Sequence, residues 1–192
     1  MSNTEESILE EQISSKDVFS GKLLEVSLDK VSLPSGRTAR REVVHHPGGV
    51  VIIPILEENE GNKILMVKQF RQPIAKAIWE LPAGTLEPGE SARECAHREL
   101  VEETGFAAED LDKKVELYTS PGYSDEVLAI FQATSLVEAD ISAEETPEDE
   151  TLVVRSFSVN DLLQRAIQGK IRDGKTLAGL FFVLWDRSTE KE

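Results

Sequence analysis

The stretch from Gly84 to Phe106, GTLEPGESARECAHRELVEETGF, constrains this chain more than any other. Ser91 followed by Glu94 is a capping box, which predicts a helix from about Ala92. Thr104-Gly105 supplies its end, because Gly105 can take the left-handed conformation. At about 100° per residue, Glu99, Glu102 and Glu103 share one arc of that helix. Ala92, Cys95 and Ala96 lie on or beside this arc and are small, so another segment can approach closely. Two penalties attach to the arrangement. Like charges three and four residues apart repel by roughly 0.2–0.5 kcal/mol per pair, and carboxylates in the last turns face the negative end of the helix dipole. A divalent cation reverses both, since hard cations prefer carboxylate oxygens. A solvated acidic face is the plainer reading of an arbitrary Glu-Glu pair.

The spacing of the whole stretch argues against that plainer reading. Gly84, then Glu90, then Arg98-Glu99-Leu100-x-Glu102-Glu103-x-Gly105-Phe106 resembles a complete Nudix box, with every specified position filled. The resemblance implies a Nudix fold and hydrolysis of a nucleoside diphosphate linked to another group. It implies Mg²⁺ as the metal, with Mn²⁺ able to substitute. Glu99 and Glu103 match the main metal ligands of that family, with Glu102 close behind. Ala83 matches a position whose backbone carbonyl also binds metal. Arg98 matches a residue that orients an acid by ion pairing, and Glu90 an auxiliary acid.

Composition narrows the setting. The 192 residues suffice for one domain of ordinary size with a real core. A formal net charge of -15 repels nucleic acid backbones and anionic membranes. It repels anionic small substrates as well, so a phosphate-processing site here needs local cations. The single cysteine, Cys95, excludes an intrachain disulfide and reads as a packing residue. No apolar run approaches the ~20 residues of a membrane span. The acidic N-terminus lacks the basic-then-apolar pattern of a signal peptide, so a cytoplasmic protein is expected.

In chain order, residues 1 to about 17 are polar and expected to fray at the start. From Val18 to Leu33, and again from Thr38 to His46, apolar and polar residues interleave as in strands, with Pro34-Ser35-Gly36 as the turn. Val50 to Leu56 is a buried-strand candidate, and Lys63 to Phe70 its partner. Ile78 to Leu81 is a short strand feeding the box. Val115 to Thr119, Glu126 to Ala133 and Thr151 to Phe157 are strand-like. Ser158 caps a helix over Val159 to Gln168. A last helix spans Lys175 to Arg187, with Leu177, Leu180, Phe181 and Leu184 on one face. This is an α+β arrangement. The resemblance makes it an α/β/α sandwich with a mixed sheet over residues 47–192, and a small N-terminal antiparallel sheet region over residues 1–46.

Two further stretches bear on the substrate. Pro121, sixteen residues beyond Gly105, resembles the marker of the ADP-ribose pyrophosphatase branch. Its Pro-Gly pair suits a type II turn. The segment Gln69-Phe70-Arg71, before Glu80-Leu81-Pro82-Ala83-Gly84, is similar to that branch too. Arg71 is the cation to set against a diphosphate, since a guanidinium binds it in bidentate fashion. Glu80 is a candidate acceptor for ribose or adenine hydrogen bonds. The branch takes its general base from an acidic loop, and the matching stretch here offers Glu148 first and Glu150 second. The expected reaction is cleavage of ADP-ribose to AMP and ribose 5-phosphate. The alternatives are another nucleoside diphosphate sugar, such as a GDP-hexose, or a binding module that has lost catalysis. The branch also implies a homodimer in which the N-terminal region is exchanged, bringing Leu23, Arg40 and Glu42 to the partner's ligand.

Overall fold

The computed structural model describes residues 8–58, 61–139 and 151–189, with side chains of the last helix as far as Trp185. The chain forms two compact units, Met1–Gly48 with Tyr118–Val127, and Gly49–Leu117 with Leu128–Glu192.

The second unit is built around β5 (Gly49–Leu56), whose sequence GVVIIPIL is buried at every position but the last. A strand buried on both faces needs apolar side chains on both, which this run of β-branched residues supplies. The sheet order is β11-β6-β5-β10-β9, with β7 on β6 and β8 on β5. These strands are β6 (Lys63–Arg71), β7 (Lys76–Glu80), β8 (Ala83–Thr85), β9 (Phe106–Tyr118), β10 (Val127–Glu138) and β11 (Val153–Ser158). β10 runs parallel to β5, from Leu128 opposite Gly49 to Ala133 opposite Pro54. β6 and β8 pair with β5 in the antiparallel sense, and β7 and β11 do so with β6, so the sheet is mixed.

The pleat of β5 splits the core in two. Val51, Ile53 and Ile55 join Leu162 of α2 (Val159–Ile167) and Leu180 and Val183 of α3 (Gly174–Thr189). Val50 and Ile52 join Cys95, Ala96 and Leu100 of α1 (Ala92–Thr104) on the other face. Complete burial of a side chain such as Leu100 contributes about 1.5–3 kcal/mol. The result is the expected helix–sheet–helix sandwich.

The first unit is a four-stranded antiparallel sheet. β3 (Glu25–Ser32) is flanked by β4 (Thr38–His45) on one edge and by β1 (Glu11–Ser14) and β2 (Asp17–Ser20) end to end on the other. The expected turn is present, with Gly36 at φ 77°. Residues 11–14, in the polar N-terminal stretch, are held in a strand, because the exposed edge of β3 pairs with a polar segment as readily as with an apolar one.

Two other expectations are corrected. Ser120 O accepts the N–H groups of both Tyr123 and Ser124, at 3.0 and 2.9 Å. Gly122 is not among the positive-φ glycines, so the Pro121-Gly122 bend is a helical turn rather than type II. On α3, Leu177, Phe181 and Leu184 are 40%, 57% and 41% exposed, while Thr176, Leu180 and Val183 face inward. Gly179 decides that rotation: a Cβ there would lie 2.4 Å from Leu81 Cδ1, so only glycine lets the helix approach on this side. Among the described residues no helix is long and apolar enough to cross a membrane.

Candidate active site

α1 begins and ends as its sequence dictates. The Ser91 hydroxyl accepts the Glu94 N–H at 3.3 Å, and Glu94 accepts the Ser91 N–H at 2.9 Å. At the other end Gly105, at φ 78°, donates its N–H to Val101 O. Helical periodicity brings Glu99 and Glu102, and the turn before the helix brings Glu90, to one guanidinium. Arg98 Nε and Nη2 donate to the two oxygens of Glu90 at 2.8 and 2.9 Å. Nη1 donates to Glu99 Oε1 at 2.7 Å and to Glu102 Oε2 at 3.1 Å. Glu90 also accepts the Glu87 N–H at 3.0 Å. The Arg98 hydrogen bonds outweigh burial and hold the Glu90 carboxyl down at about 2. The Arg98 guanidinium is pushed above its ordinary value, first by the same bonds to Glu90.

β8 brings backbone to this cluster. Ala83 N–H donates to Glu103 Oε2 at 3.0 Å, and Glu103 is only 7% exposed. A Cβ on Gly84 would fall 1.8 Å from Glu99 Cδ, so the glycine leaves the space that the Glu99 carboxylate fills. Cys95 lies beneath, donating to Thr85 O at 3.5 Å. Burial, then the charges of Glu90 and Glu99, push its thiol up to about 12, which leaves it unreactive at neutral pH.

Glu99, Glu102 and Glu103 carry carboxylate oxygens, and Ala83 a backbone carbonyl, of the hard kind that could hold Mg²⁺ or Mn²⁺. Among the described residues no three His, Cys, Asp or Glu side chains are gathered into a group that could hold a metal by themselves.

A second charged cluster sits at the start of the segment that ends in Gly84. Glu80, 1% exposed, accepts Arg71 Nε at 2.9 Å and Arg71 Nη2 at 3.0 Å. Lys175 donates to the same Glu80 oxygen that Nη2 reaches. Glu80, expected to face a ribose or adenine, is turned inward with both oxygens on cations. Lys175 also pairs with Asp173 at 3.1 Å. Lys175, Asp173 and Thr176 are not among the site residues that the sequence points to. Asp173 followed by Thr176 before an apolar run is a helix-start pattern and was a legible signal; nothing local links Lys175 to Glu80.

Leu23, Arg40, Glu42 and Pro121 lie in the first unit. Leu23 is 50% exposed, and Arg40 and Glu42 are exposed at alternate positions of β4. Pro121 sits in the helical turn after β9. That loop is anchored within its unit: Val44 N–H donates to Tyr123 O at 2.7 Å, and Asp125 N–H to Val44 O at 3.2 Å. His45 Nδ1 meets Asp125 Oδ2 at 2.7 Å, and His45 Nε2 meets the Ser27 hydroxyl at 3.0 Å. The Asp125 hydrogen bond holds the His45 pKa above its ordinary value. Glu148 and Glu150 lie outside the described residues.

The NUDIX domain model matches residues 45–180. The chain belongs to the Nudix family. It is 40% identical over 170 residues to an ADP-ribose pyrophosphatase of Bacillus subtilis, covering 88% of this chain and 90% of that one. It is 38% identical over 174 residues to a methanol dehydrogenase activator of Bacillus methanolicus, covering 91% and 92%. A crystal structure of an ADP compounds hydrolase superposes with a TM-score of 0.78 at 22% identity, over 94% of this Nudix chain and 95% of the other. That likeness bears on the fold, which is the Nudix fold expected from the box.

Proposed function

We propose that this Nudix hydrolase cleaves the diphosphate of ADP-ribose, with water, to AMP and ribose 5-phosphate. The carrying observation is the Arg98 cluster, in which one guanidinium serves Glu90, Glu99 and Glu102 beside a buried Glu103 that grips the Ala83 N–H. The name of the Bacillus subtilis relative supports the choice of substrate.

Glu99, Glu103 and Glu102, with the Ala83 carbonyl, hold the metal, Mg²⁺ with Mn²⁺ as a substitute. Bound there, it would neutralise diphosphate charge and lower the pKa of an attacking water. Arg98 keeps Glu99 and Glu102 oriented and takes its own orientation from the fork–fork pairing with Glu90. Arg71 faces the substrate diphosphate from the exposed end of its pair with Glu80, its side chain being 40% exposed. Glu148, or Glu150, accepts the proton of the water. Pro121 shapes the loop that favours ADP-ribose over other nucleoside diphosphate sugars.

The protein works as a homodimer with an exchanged N-terminal region, Leu23, Arg40 and Glu42 reaching the partner's substrate. Ile13, Val18, Phe19 and Leu23, each half-exposed or more, supply apolar surface for such an exchange. A mixed dimer of Glu99→Gln chains and Arg40→Ala plus Glu42→Ala chains should regain one working site. No recovery despite proven subunit exchange would exclude the shared site. The net charge of -15 argues against nucleic acid and anionic membranes as partners, and the lone unreactive thiol suits the cytoplasm.

The test of the function is a screen of ADP-ribose, NAD, diadenosine polyphosphates and GDP-mannose with Mg²⁺, with products identified. ADP-ribose should give the highest kcat/KM and yield AMP. A higher kcat/KM for GDP-mannose would overturn the substrate and leave the diphosphate chemistry standing.

A further inference from the structure

The first turn of α3 grips the strand segment that leads into the carboxylate cluster, and it does so at two successive residues. Lys175 donates to the Glu80 carboxylate, and the Thr176 hydroxyl accepts the Leu81 N–H at 2.9 Å. Asp173 fixes that turn, with Oδ2 accepting both the N–H and the hydroxyl of Thr176 at 3.0 and 2.6 Å. Thr176 is fully buried and Lys175 is 13% exposed, so neither contact is a loose surface pair. From Leu81 the chain runs through Pro82, whose carbonyl accepts the Ile52 N–H at 2.8 Å, to Ala83 on Glu103. Both oxygens of the Glu80 carboxylate accept from Arg71 in a two-bond fork, which fixes the plane of the guanidinium.

We propose that Lys175 is a positioning residue for the substrate: by holding Glu80 it fixes the Arg71 guanidinium that meets the diphosphate. This rests on the assignment of Arg71 to the diphosphate made above. A buried carboxylate shared by two cations has one orientation, whereas with Arg71 alone it can follow that side chain toward solvent. The main consequence falls on binding, since Lys175 is held by Glu80 and Asp173 and acts through the group that meets the diphosphate.

The experiment is a double-mutant cycle between Lys175→Met and Arg71→Ala. It is read as steady-state kinetics with Mg²⁺ on ADP-ribose, or on whichever nucleoside diphosphate sugar the screen selects. Lys175→Met should raise KM about tenfold with kcat within about threefold of wild type. Lys175→Arg, which keeps the charge, should recover most of that loss. In the Arg71→Ala background the same Lys175→Met change should alter KM less than about twofold, because the group it positions is gone. A merely structural lysine would cost the same in both backgrounds, and that result would overturn the proposal while leaving Arg71 on the diphosphate. An Arg71→Ala enzyme with unchanged KM would remove the Arg71 assignment and the proposal with it. A fall in kcat alone would also overturn it. Should Lys175→Met not fold, Lys175→Gln carries the same expectations, being uncharged yet able to hydrogen-bond to Glu80.

Discussion

The two charged clusters on either end of the Glu80–Gly84 segment are built in opposite ways. At one end a single cation, Arg98, is shared by three carboxylates, Glu90, Glu99 and Glu102. At the other a single buried carboxylate, Glu80, is shared by two cations, Arg71 and Lys175. The first has negative charge to spare and suits a cation; the second presents a guanidinium and suits an anion. A metal-bound diphosphate needs both within reach, and one short strand segment ties them together. In a chain of net charge -15, the second cluster also shows how local cations can be kept for a phosphate substrate.

The sharpest way to break the first cluster is through the backbone that makes room for it. Gly84→Ala places a methyl 1.8 Å from Glu99 Cδ, and the flexible end of that side chain must swing away. Displacing one ligand by about 1 Å should cost about 100-fold in kcat. The thermal midpoint should hardly move, since the side chain and not the strand yields. Unchanged turnover would mean that Glu99 has no fixed place in the reaction.

Single-carboxylate changes should have opposite outcomes in the two clusters. Glu80→Gln strands Arg71 and Lys175 without their shared anion. Breaking a fully buried pair costs about 3–5 kcal/mol; with Arg71 partly in water, about 2 kcal/mol is expected here. Chemical denaturation measures it, and a loss below about 0.5 kcal/mol would show that Glu80 carries no such burden. Glu102→Gln instead removes one of several crowded charges, so stability should stay level or rise by up to about 0.5 kcal/mol in the same assay.

Between these in size lies an acid effect. The folded Glu90 carboxyl, held at about 2 against an ordinary 4.5, is depressed. Its contribution is therefore fully present above pH 4.5 and lost as pH falls toward 2. The gap in melting temperature between wild type and Glu90→Gln should close across that window. A gap that stays constant with pH would place the Glu90 effect in shape rather than charge.

How legible each cluster was follows from the range of its contacts. The capping box, the carboxylate arc and the Gly105 stop are all set within one helix, and the sequence announces them through spacing. The buried run of β5 was equally plain, since a strand covered on both faces is apolar throughout. The Glu80 cluster joins residues ninety-five positions apart, and no local pattern links Lys175 to it. The rotation of α3 failed for the same reason. Its apolar residues surround the helix, and the face that turns inward is chosen by Gly179 and the Thr176 hydroxyl. In the first unit, edge pairing captured residues 11–14, whose polar sequence carries no strand pattern of its own.

If the α1 carboxylates hold the metal for diphosphate cleavage, their negative charge is indispensable to turnover. Glu103→Gln tests it most directly, because the amide oxygen can still accept the Ala83 N–H and only the anionic ligand is lost. The measurement is the rate of AMP release from ADP-ribose across a Mg²⁺ titration, for wild type and variant side by side. The wild-type rate should require the cation, and the variant rate should be lower by about 100-fold or more at every concentration. A Glu103→Gln enzyme that follows the wild-type curve would contradict it.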